Sequence, residues 1–163
     1  MTSRNKAMAA LFAISLIALT ACGGNKVTPT TSAQANLPTV TANAGAAPTI
    51  GAPSGTPPVT LVSKDIIEGT GAAATATSTM TVHYTLMAWS TGKVVESSWS
   101  GGSPATFPLA NVIVGWQQGI PGMKVGGRRL LVIPPSLGYG ANGGGPIGPN
   151  ETLIFVVDAI KIN

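Results

Sequence analysis

The sequence predicts an α+β domain in which a curved antiparallel sheet covers one short helix. Runs of β-branched and aromatic residues recur between Gly- and Pro-rich turns, a pattern typical of strands joined by hairpins. Only residues 112–119 (VIVGWQQG) have the composition of a helix, which Gly119 and Pro121 end. Residues 59–163 carry all these patterns and are enough for a single core.

The strands of this domain follow one another in a simple order. A segment with paired apolar residues at 60–67 ends in a Gly-Thr-Gly turn. A β-branched and aromatic run then leads into a hairpin turn at residues 90–93, and a second run returns from it. Two later apolar runs complete the sheet. The strands are predicted at residues 79–89, 94–99, 128–133 and 152–162.

The first 21 residues have the features of a signal peptide. Arg4 and Lys6 precede an uncharged, mostly apolar run at residues 7–21. A membrane-spanning helix needs about 20 apolar residues, and this run is shorter. Its length and its small residues at the end are those of a segment that is removed on export.

Cys22 follows that segment directly and is the only cysteine in the chain. Leu19-Thr20-Ala21-Cys22-Gly23 resembles a bacterial lipobox, in which the cysteine thiol carries a diacylglycerol. The alternative is an ordinary signal peptide with an incidental cysteine. The resemblance implies a lipid-anchored protein of the bacterial cell envelope, bound to the outer membrane or the cell membrane with its domain in the periplasm or outside.

Residues 22–58 are rich in Pro, Thr, Ala and Gly, with one charge and no aromatic residue. They show neither helical nor alternating periodicity, so they lack the apolar surface that offsets the entropy cost of ordering. We expect a disordered tether between the lipid and the domain at residues 59–163. The alternative is an ordered extension along that domain.

The charge distribution excludes a nucleic-acid binder. The whole chain has a net charge of +4, but residues 59–163 carry six basic and five acidic side chains and are nearly neutral. Arg128-Arg129 is the only basic doublet, and we interpret it as one solvated and one partly paired side chain on a strand. We expect no nucleic-acid partner.

Several kinds of chemistry are excluded by the motifs. The Gly138–Gly143 segment has the G-x-G-x-x-G pattern, but Gly144-Gly145-Pro146 follows it, so a loop is predicted and not the helix that a dinucleotide site requires. Residues 59–163 hold one histidine, His83, and no cysteine, which leaves no zinc cluster. We expect no cofactor and no metal.

Short motifs in a fixed order cover residues 60–162, and together they resemble the FKBP family of peptidyl-prolyl cis-trans isomerases. The motifs are Val82-His83-Tyr84-Thr85, Glu96-Ser97-Ser98, Val112-Ile113-Val114-Gly115-Trp116, Gly119–Gly126, Ile133-Pro134, Tyr139-Gly140-Ala141 and Thr152-Leu153-Ile154-Phe155. The resemblance implies an FKBP-like sheet wrapped on one helix, with a cavity between them that binds a substrate proline.

The resemblance also implies the residues of that cavity. Trp116 becomes its floor, Tyr84 and Phe155 its walls, and the backbone N–H of Ile113 and the Tyr139 hydroxyl donate hydrogen bonds to substrate carbonyls. The expected catalytic set is Tyr84, Glu96, Trp116, Tyr139 and Phe155. The expected substrate-binding set is Val95, Phe107, Val112 and Ile113.

This chain departs from the family pattern at several positions. Val95-Glu96 stands where Phe-Asp is usual, Ala105 stands where Phe is frequent, and Leu86 replaces a Gly. The resemblance implies an isomerase of X–Pro bonds that assists folding in the cell envelope, with macrolide inhibitors as further ligands. Because Val95 and Ala105 remove two aromatic walls from the implied cavity, we expect weaker proline binding than is usual in the family. Two alternatives stay open: a proline-peptide binding module or chaperone without turnover, and a structural or adhesive lipoprotein. We expect a monomer.

Overall fold

The computed structural model describes residues 37–163. Within this range six strands form one antiparallel sheet and a single short α-helix packs on it. The helix, α1, spans Val114–Gly119. The strands are β1 Val62–Ile67, β2 Thr79–Ala88, β3 Lys93–Ser97, β4 Ala105–Pro108, β5 Arg128–Ile133 and β6 Leu153–Ile162. The α+β class, with an antiparallel sheet and one short helix, is thereby confirmed.

The sheet has the strand order β1-β5-β6-β2-β3, and β4 pairs with the first half of β2. The two long strands β2 and β6 pair from Met80 opposite Ile162 to Ala88 opposite Leu153. Leu86 lies directly opposite Phe155, so these two side chains share a face of the sheet. Tyr84 is two residues earlier on β2 and therefore points to that same face.

The helix α1 lies directly on β5. A Cβ atom at Gly115 would overlap the Ile133 side chain, and one at Gly119 would lie 2.7 Å from Leu131. Any larger residue at either position would push the helix away from the sheet. The two glycines thus allow Trp116, between them, to enter the core at 4% exposure.

The other face of the sheet, which we call the outer face, carries a second apolar cluster. Its buried members are Met87, Trp89, Leu130, Val132, Ile154 and Val156. Leu37, Val40 and Ile50 pack against this cluster, together with side chains of β1. Thr41 N–H donates to the Thr49 carbonyl and Gly51 N–H to the Thr39 carbonyl, which closes a short two-stranded loop.

We call residues 37–58 the N-terminal strap. The sequence predicts that they are part of a disordered tether, and for this stretch the prediction is wrong, because the strap is ordered along the outer face. The alternative of an ordered extension is the correct one here. The remaining tether residues 22–36, Cys22 and the signal peptide at 1–21 lie outside the described residues.

Arg128 joins the strap to the sheet. Its guanidinium is fully buried, with Nε donating to Asp158 Oδ1 at 2.7 Å. Nη1 donates to the Thr41 carbonyl at 2.9 Å and to Asn43 Oδ1 at 2.8 Å, and Nη2 donates to the Ala46 carbonyl at 2.6 Å. A buried cation is tolerated because each of these bonds replaces a bond to water.

Arg129 points to the opposite face and is also buried. Its Nε and Nη2 donate to both carboxylate oxygens of Asp65, at 2.6 and 2.9 Å. Its Nη1 donates to the Gly119 carbonyl at 3.0 Å, at the end of α1. The interpretation of this doublet as one solvated and one partly paired arginine is therefore wrong, since β5 lies inside the sheet and is covered on both faces.

Other boundaries shift by a few residues from the predicted ones. The helix begins at Val114 because Val112 and Ile113 keep extended backbone angles. The G-x-G-x-x-G segment holds a short 3-10 turn at Gly140–Asn142, which confirms a loop there. None of the helices described between residues 37 and 163 has the length and apolar character needed to cross a membrane.

Candidate active site

A cavity of about 380 Å³ opens between the β2 side of the sheet, the start of α1 and the loop that carries Tyr139. It lies on the face opposite the strap. Eight of the nine predicted catalytic and substrate-binding residues line it, and two further residues complete the lining. The lining residues are Tyr84, Leu86, Glu96, Phe107, Asn111, Val112, Ile113, Trp116, Tyr139 and Phe155.

Trp116 is the centre of an aromatic frame. Its ring meets those of Tyr84, Phe107 and Phe155 at centroid separations of 6.0, 6.1 and 5.3 Å. The interplanar angles of 84°, 84° and 87° make all three contacts edge to face, a geometry that aromatic quadrupoles favour. The indole of Trp116 thus forms a flat apolar floor, and the three other rings form walls around it.

The Tyr84 hydroxyl donates a hydrogen bond of 2.5 Å to Oε1 of Glu96. Burial raises the pKa of Tyr84 well above its ordinary value, and the bond to Glu96 and its charge raise it further. The hydroxyl therefore stays protonated at neutral pH. The bond holds the Tyr84 ring in place and fixes one carboxylate oxygen at the cavity wall.

A β-bulge explains how Glu96 reaches that wall. Leu86 pairs with Glu96 but the next residue, Met87, pairs with Val94, so Val95 is the extra residue on β3. Val95 packs against the core around Trp116 and does not line the cavity. The structure therefore does not bring Val95 to the predicted substrate-binding position, because the bulge turns its side chain into the core beside the wall.

Ile113 precedes the helix in extended conformation, with φ −58° and ψ 150°. Its carbonyl accepts the N–H of Trp116 at 2.9 Å, and its own N–H has no protein acceptor within residues 37–163. The Gln117 side chain donates to the Val112 carbonyl at 2.8 Å and holds the preceding turn in place. A free backbone donor thus lies at the edge of the cavity.

Tyr139 forms the opposite edge and is 41% exposed. A Cβ atom at Gly144 would lie 3.0 Å from its ring, so the glycine lets the loop pack closely against Tyr139. The Tyr139 hydroxyl has no hydrogen-bond partner in the described part of the chain. Ala105 begins β4 and is not part of the lining, whereas Phe107, two residues later, is.

Leu86 and Asn111 line the cavity although they are not among the residues predicted from the sequence. Leu86 could have been found, because strand alternation places it on the same face as Tyr84. Asn111 ends a 3-10 turn at Leu109–Asn111 and carries no pattern that marks it as part of a site.

His83 lies on the outer face, away from the cavity. Its ring stacks on Trp99 at a centroid distance of 3.8 Å, and its Nδ1 is 2.9 Å from the Ser98 hydroxyl. No cluster of three or more His, Cys, Asp or Glu side chains that could hold a metal ion occurs among the described residues. Within residues 37–163, the cavity therefore offers apolar surface and a few hydrogen-bond donors, and no nucleophile next to a base.

The chain is similar in sequence to known proteins of one family. Residues 71–160 match the FKBP-type peptidyl-prolyl cis-trans isomerase family. A protein of Streptomyces anulatus named FK506-binding protein is 50% identical over 119 residues, which are 71% of this chain and 96% of that protein. A probable FK506-binding protein of Corynebacterium glutamicum is 48% identical over 114 residues, 70% of this chain and 97% of that protein.

Solved structures give the same picture of the fold. The crystal structure of FkpA from Escherichia coli aligns with a TM-score of 0.60 and 38% identity, over 63% of this chain and 48% of that one. The crystal structure of AtFKBP13 aligns with a TM-score of 0.58 and 36% identity, over 63% of this chain and 93% of that one.

Proposed function

The chain belongs to the family of FKBP-type peptidyl-prolyl cis-trans isomerases, and we propose that it isomerises X–Pro bonds of exported proteins during their folding in the cell envelope. The observation that carries the proposal is the cavity floored by Trp116 and framed by Tyr84, Phe107 and Phe155. It is wide enough for a proline ring and its lining is mostly apolar. The isomerase class itself rests on the family match and on relatives named as isomerases.

The residues of the cavity suit a reaction that breaks no bond. Resonance in the X–Pro amide sets a rotation barrier of about 20 kcal/mol, and the uncatalysed step takes tens to hundreds of seconds. Water favours the polar planar amide over the twisted one, so an apolar cavity lowers the barrier by excluding water. Catalysis then requires donors that bind the twisted amide better than the planar one.

We assign roles to the site residues on that basis. The proline ring rests on Trp116 between Tyr84 and Phe155, and Phe107 and Val112 hold its flanking atoms. The Ile113 N–H and the Tyr139 hydroxyl, which have no acceptors within residues 37–163, donate to the substrate carbonyls.

An isomerase assay on a Leu-Pro peptide tests this proposal. We expect turnover above the uncatalysed rate and inhibition by a macrolide of the FK506 type, the ligand that the names of several relatives contain. Absence of turnover by a folded protein would contradict catalysis. Macrolide binding without turnover would support the second candidate, a proline-peptide binding module, which the absence of an aromatic at Val95 and Ala105 favours.

We further propose that Cys22 is lipidated and anchors the protein to a membrane of the cell envelope, from which the periplasmic or external domain reaches its substrates. The order of charged, apolar and small residues before Cys22 supports this. Labelling of expressing cells with an alkyne fatty acid should mark the parent protein and not Cys22→Ala. Equal labelling of both, or of neither, would contradict the anchor.

A further inference from the structure

We propose that Glu96 gives this isomerase a preference for X–Pro segments with a lysine or arginine next to the proline. The inference rests on the proposed function, since it requires that the proline occupies the cavity over Trp116. It concerns the choice among substrates and not the isomerisation itself.

The charges around the cavity favour a cationic substrate. Glu96 is the only charged residue among the ten that line it. None of the six basic residues of the domain is in the lining, and three of them are paired elsewhere. These pairs are Lys124 with Glu68 at 3.2 Å, Arg128 with Asp158 at 2.7 Å and Arg129 with Asp65 at 2.6 Å. No basic side chain of the domain therefore lines the cavity or pairs with the Glu96 carboxylate.

The carboxylate of Glu96 has one oxygen left for a ligand. Oε1 accepts the Tyr84 hydroxyl, whereas Oε2 has no donor within the described range of residues 37–163. Tyr84 fixes the position of the group, so a substrate cation meets a carboxylate that is already oriented. An ammonium or guanidinium group is the natural partner of such an oxygen.

The geometry places this oxygen within reach of a residue beside the proline. The Tyr84 ring centroid lies 6.0 Å from that of Trp116, and the Tyr84 hydroxyl contacts Glu96 directly. A proline seated on Trp116 against Tyr84 therefore has Glu96 at the far edge of the same wall. The long flexible stem of lysine or arginine can span that wall, while its apolar part covers the tyrosine ring.

The expected preference is modest, because Glu96 is exposed to solvent. Exposed ion pairs change an equilibrium constant by a factor of about two to five. Salt screens such pairs, so the preference should weaken as ionic strength rises.

Matched peptides isolate the charge. Each carries lysine, Nε-acetyl-lysine or leucine directly before or directly after the proline, and kcat/KM is measured at low and at high salt. For the parent protein at low salt we expect lysine to exceed acetyl-lysine by about threefold in at least one position. That ratio should fall to about one at high salt and in Glu96→Gln. Glu68→Gln, which removes an exposed carboxylate outside the cavity lining, should keep it.

The outcomes separate this inference from the function on which it rests. Turnover of all peptides with equal rates for lysine and acetyl-lysine in both positions overturns the inference and leaves the isomerase intact. A threefold ratio that persists in Glu96→Gln also overturns it. If no peptide is turned over, the proposed catalysis fails, and binding of the same peptides, followed by tryptophan fluorescence, decides whether the lysine preference exists.

Discussion

The two faces of the sheet are built from the same strands, but one face leaves a cavity open and the other is covered. On the cavity face, the rings of Tyr84, Phe107 and Phe155 stand edge to face around Trp116 and leave a space open. On the outer face, the strap fills the surface over Trp89 and the apolar residues around it.

The two faces also treat charge differently. Glu96 stands exposed at the cavity wall with one oxygen unpaired by the described residues, whereas Arg128 is fully buried and makes four hydrogen bonds. A buried group that is bonded to the protein is closed to a ligand, whereas an exposed carboxylate with an unpaired oxygen is open to one. Residues of the outer face should therefore govern stability, and residues of the cavity face should govern activity.

The largest expected effect is that of Arg128→Met on stability. Removal of the guanidinium leaves Asp158 buried without its partner and frees the strap carbonyls, which should lower the free energy of unfolding by about 3–5 kcal/mol. Urea unfolding measures this, with Lys64→Met at an exposed position of β1 as the control that changes little. An Arg128→Met protein as stable as the parent would show that the bonds of Arg128 to the strap and to Asp158 add nothing to stability.

Trp116→Ala should have the largest effect on activity. Loss of the floor should lower kcat/KM by about thirtyfold, the size expected for a central binding residue. Trp89→Ala removes an equally buried indole from the outer face and is the matched control. Both variants should lose stability, and the folded fraction of Trp89→Ala should keep its kcat/KM. Equal loss of activity in the two variants would contradict the assignment of activity to the cavity face and of stability to the outer face.

Two isoleucines of similar partial burial give a smaller and sharper comparison. Ile50→Ala in the strap should destabilise the fold by about 1 kcal/mol and leave kcat/KM unchanged. Ile113→Ala at the cavity mouth should lower kcat/KM by about threefold and should affect stability less than Ile50→Ala does. The loss of activity is small because the backbone N–H donor stays in place. A larger loss of kcat/KM in Ile50→Ala than in Ile113→Ala would contradict the different roles of the two faces.

The smallest effect concerns pH. Because the pKa of Tyr84 is raised by burial and by Glu96, its folded form holds the proton that the unfolded form releases above about pH 10. Its contribution to stability is therefore complete below about pH 10 and is lost as the pH rises further. Unfolding of the parent should weaken more steeply above that pH than unfolding of Tyr84→Phe. Parallel curves would show that Tyr84 ionises normally.

The cavity could be predicted from the sequence, since its aromatic residues occur in short motifs whose order matches a family. The strand boundaries followed from β-branched runs, and β5 was found with its limits unchanged. Val95 was misplaced because a β-bulge depends on pairing between strands and has no local signature.

The strap could not be predicted from its own residues, since its order comes from contacts with β5 and β6 far along the chain. A signal was nevertheless present elsewhere. The runs LLVI at 130–133 and LIFVV at 153–157 are continuously apolar and do not alternate, which indicates a sheet covered on both faces. One helix can cover only one face, so a second covering segment was required.

The hydrogen bonds between Arg128 and the strap have a mechanical consequence. A pull applied at Leu37 runs first through the loop closed between residues 39 and 51, and then to the guanidinium that holds the carbonyls of Thr41 and Ala46. These bonds lie at the outer face and share no residue with the cavity lining. We expect these bonds to break before tension from that end of the chain reaches the sheet, so such tension should leave the cavity undeformed.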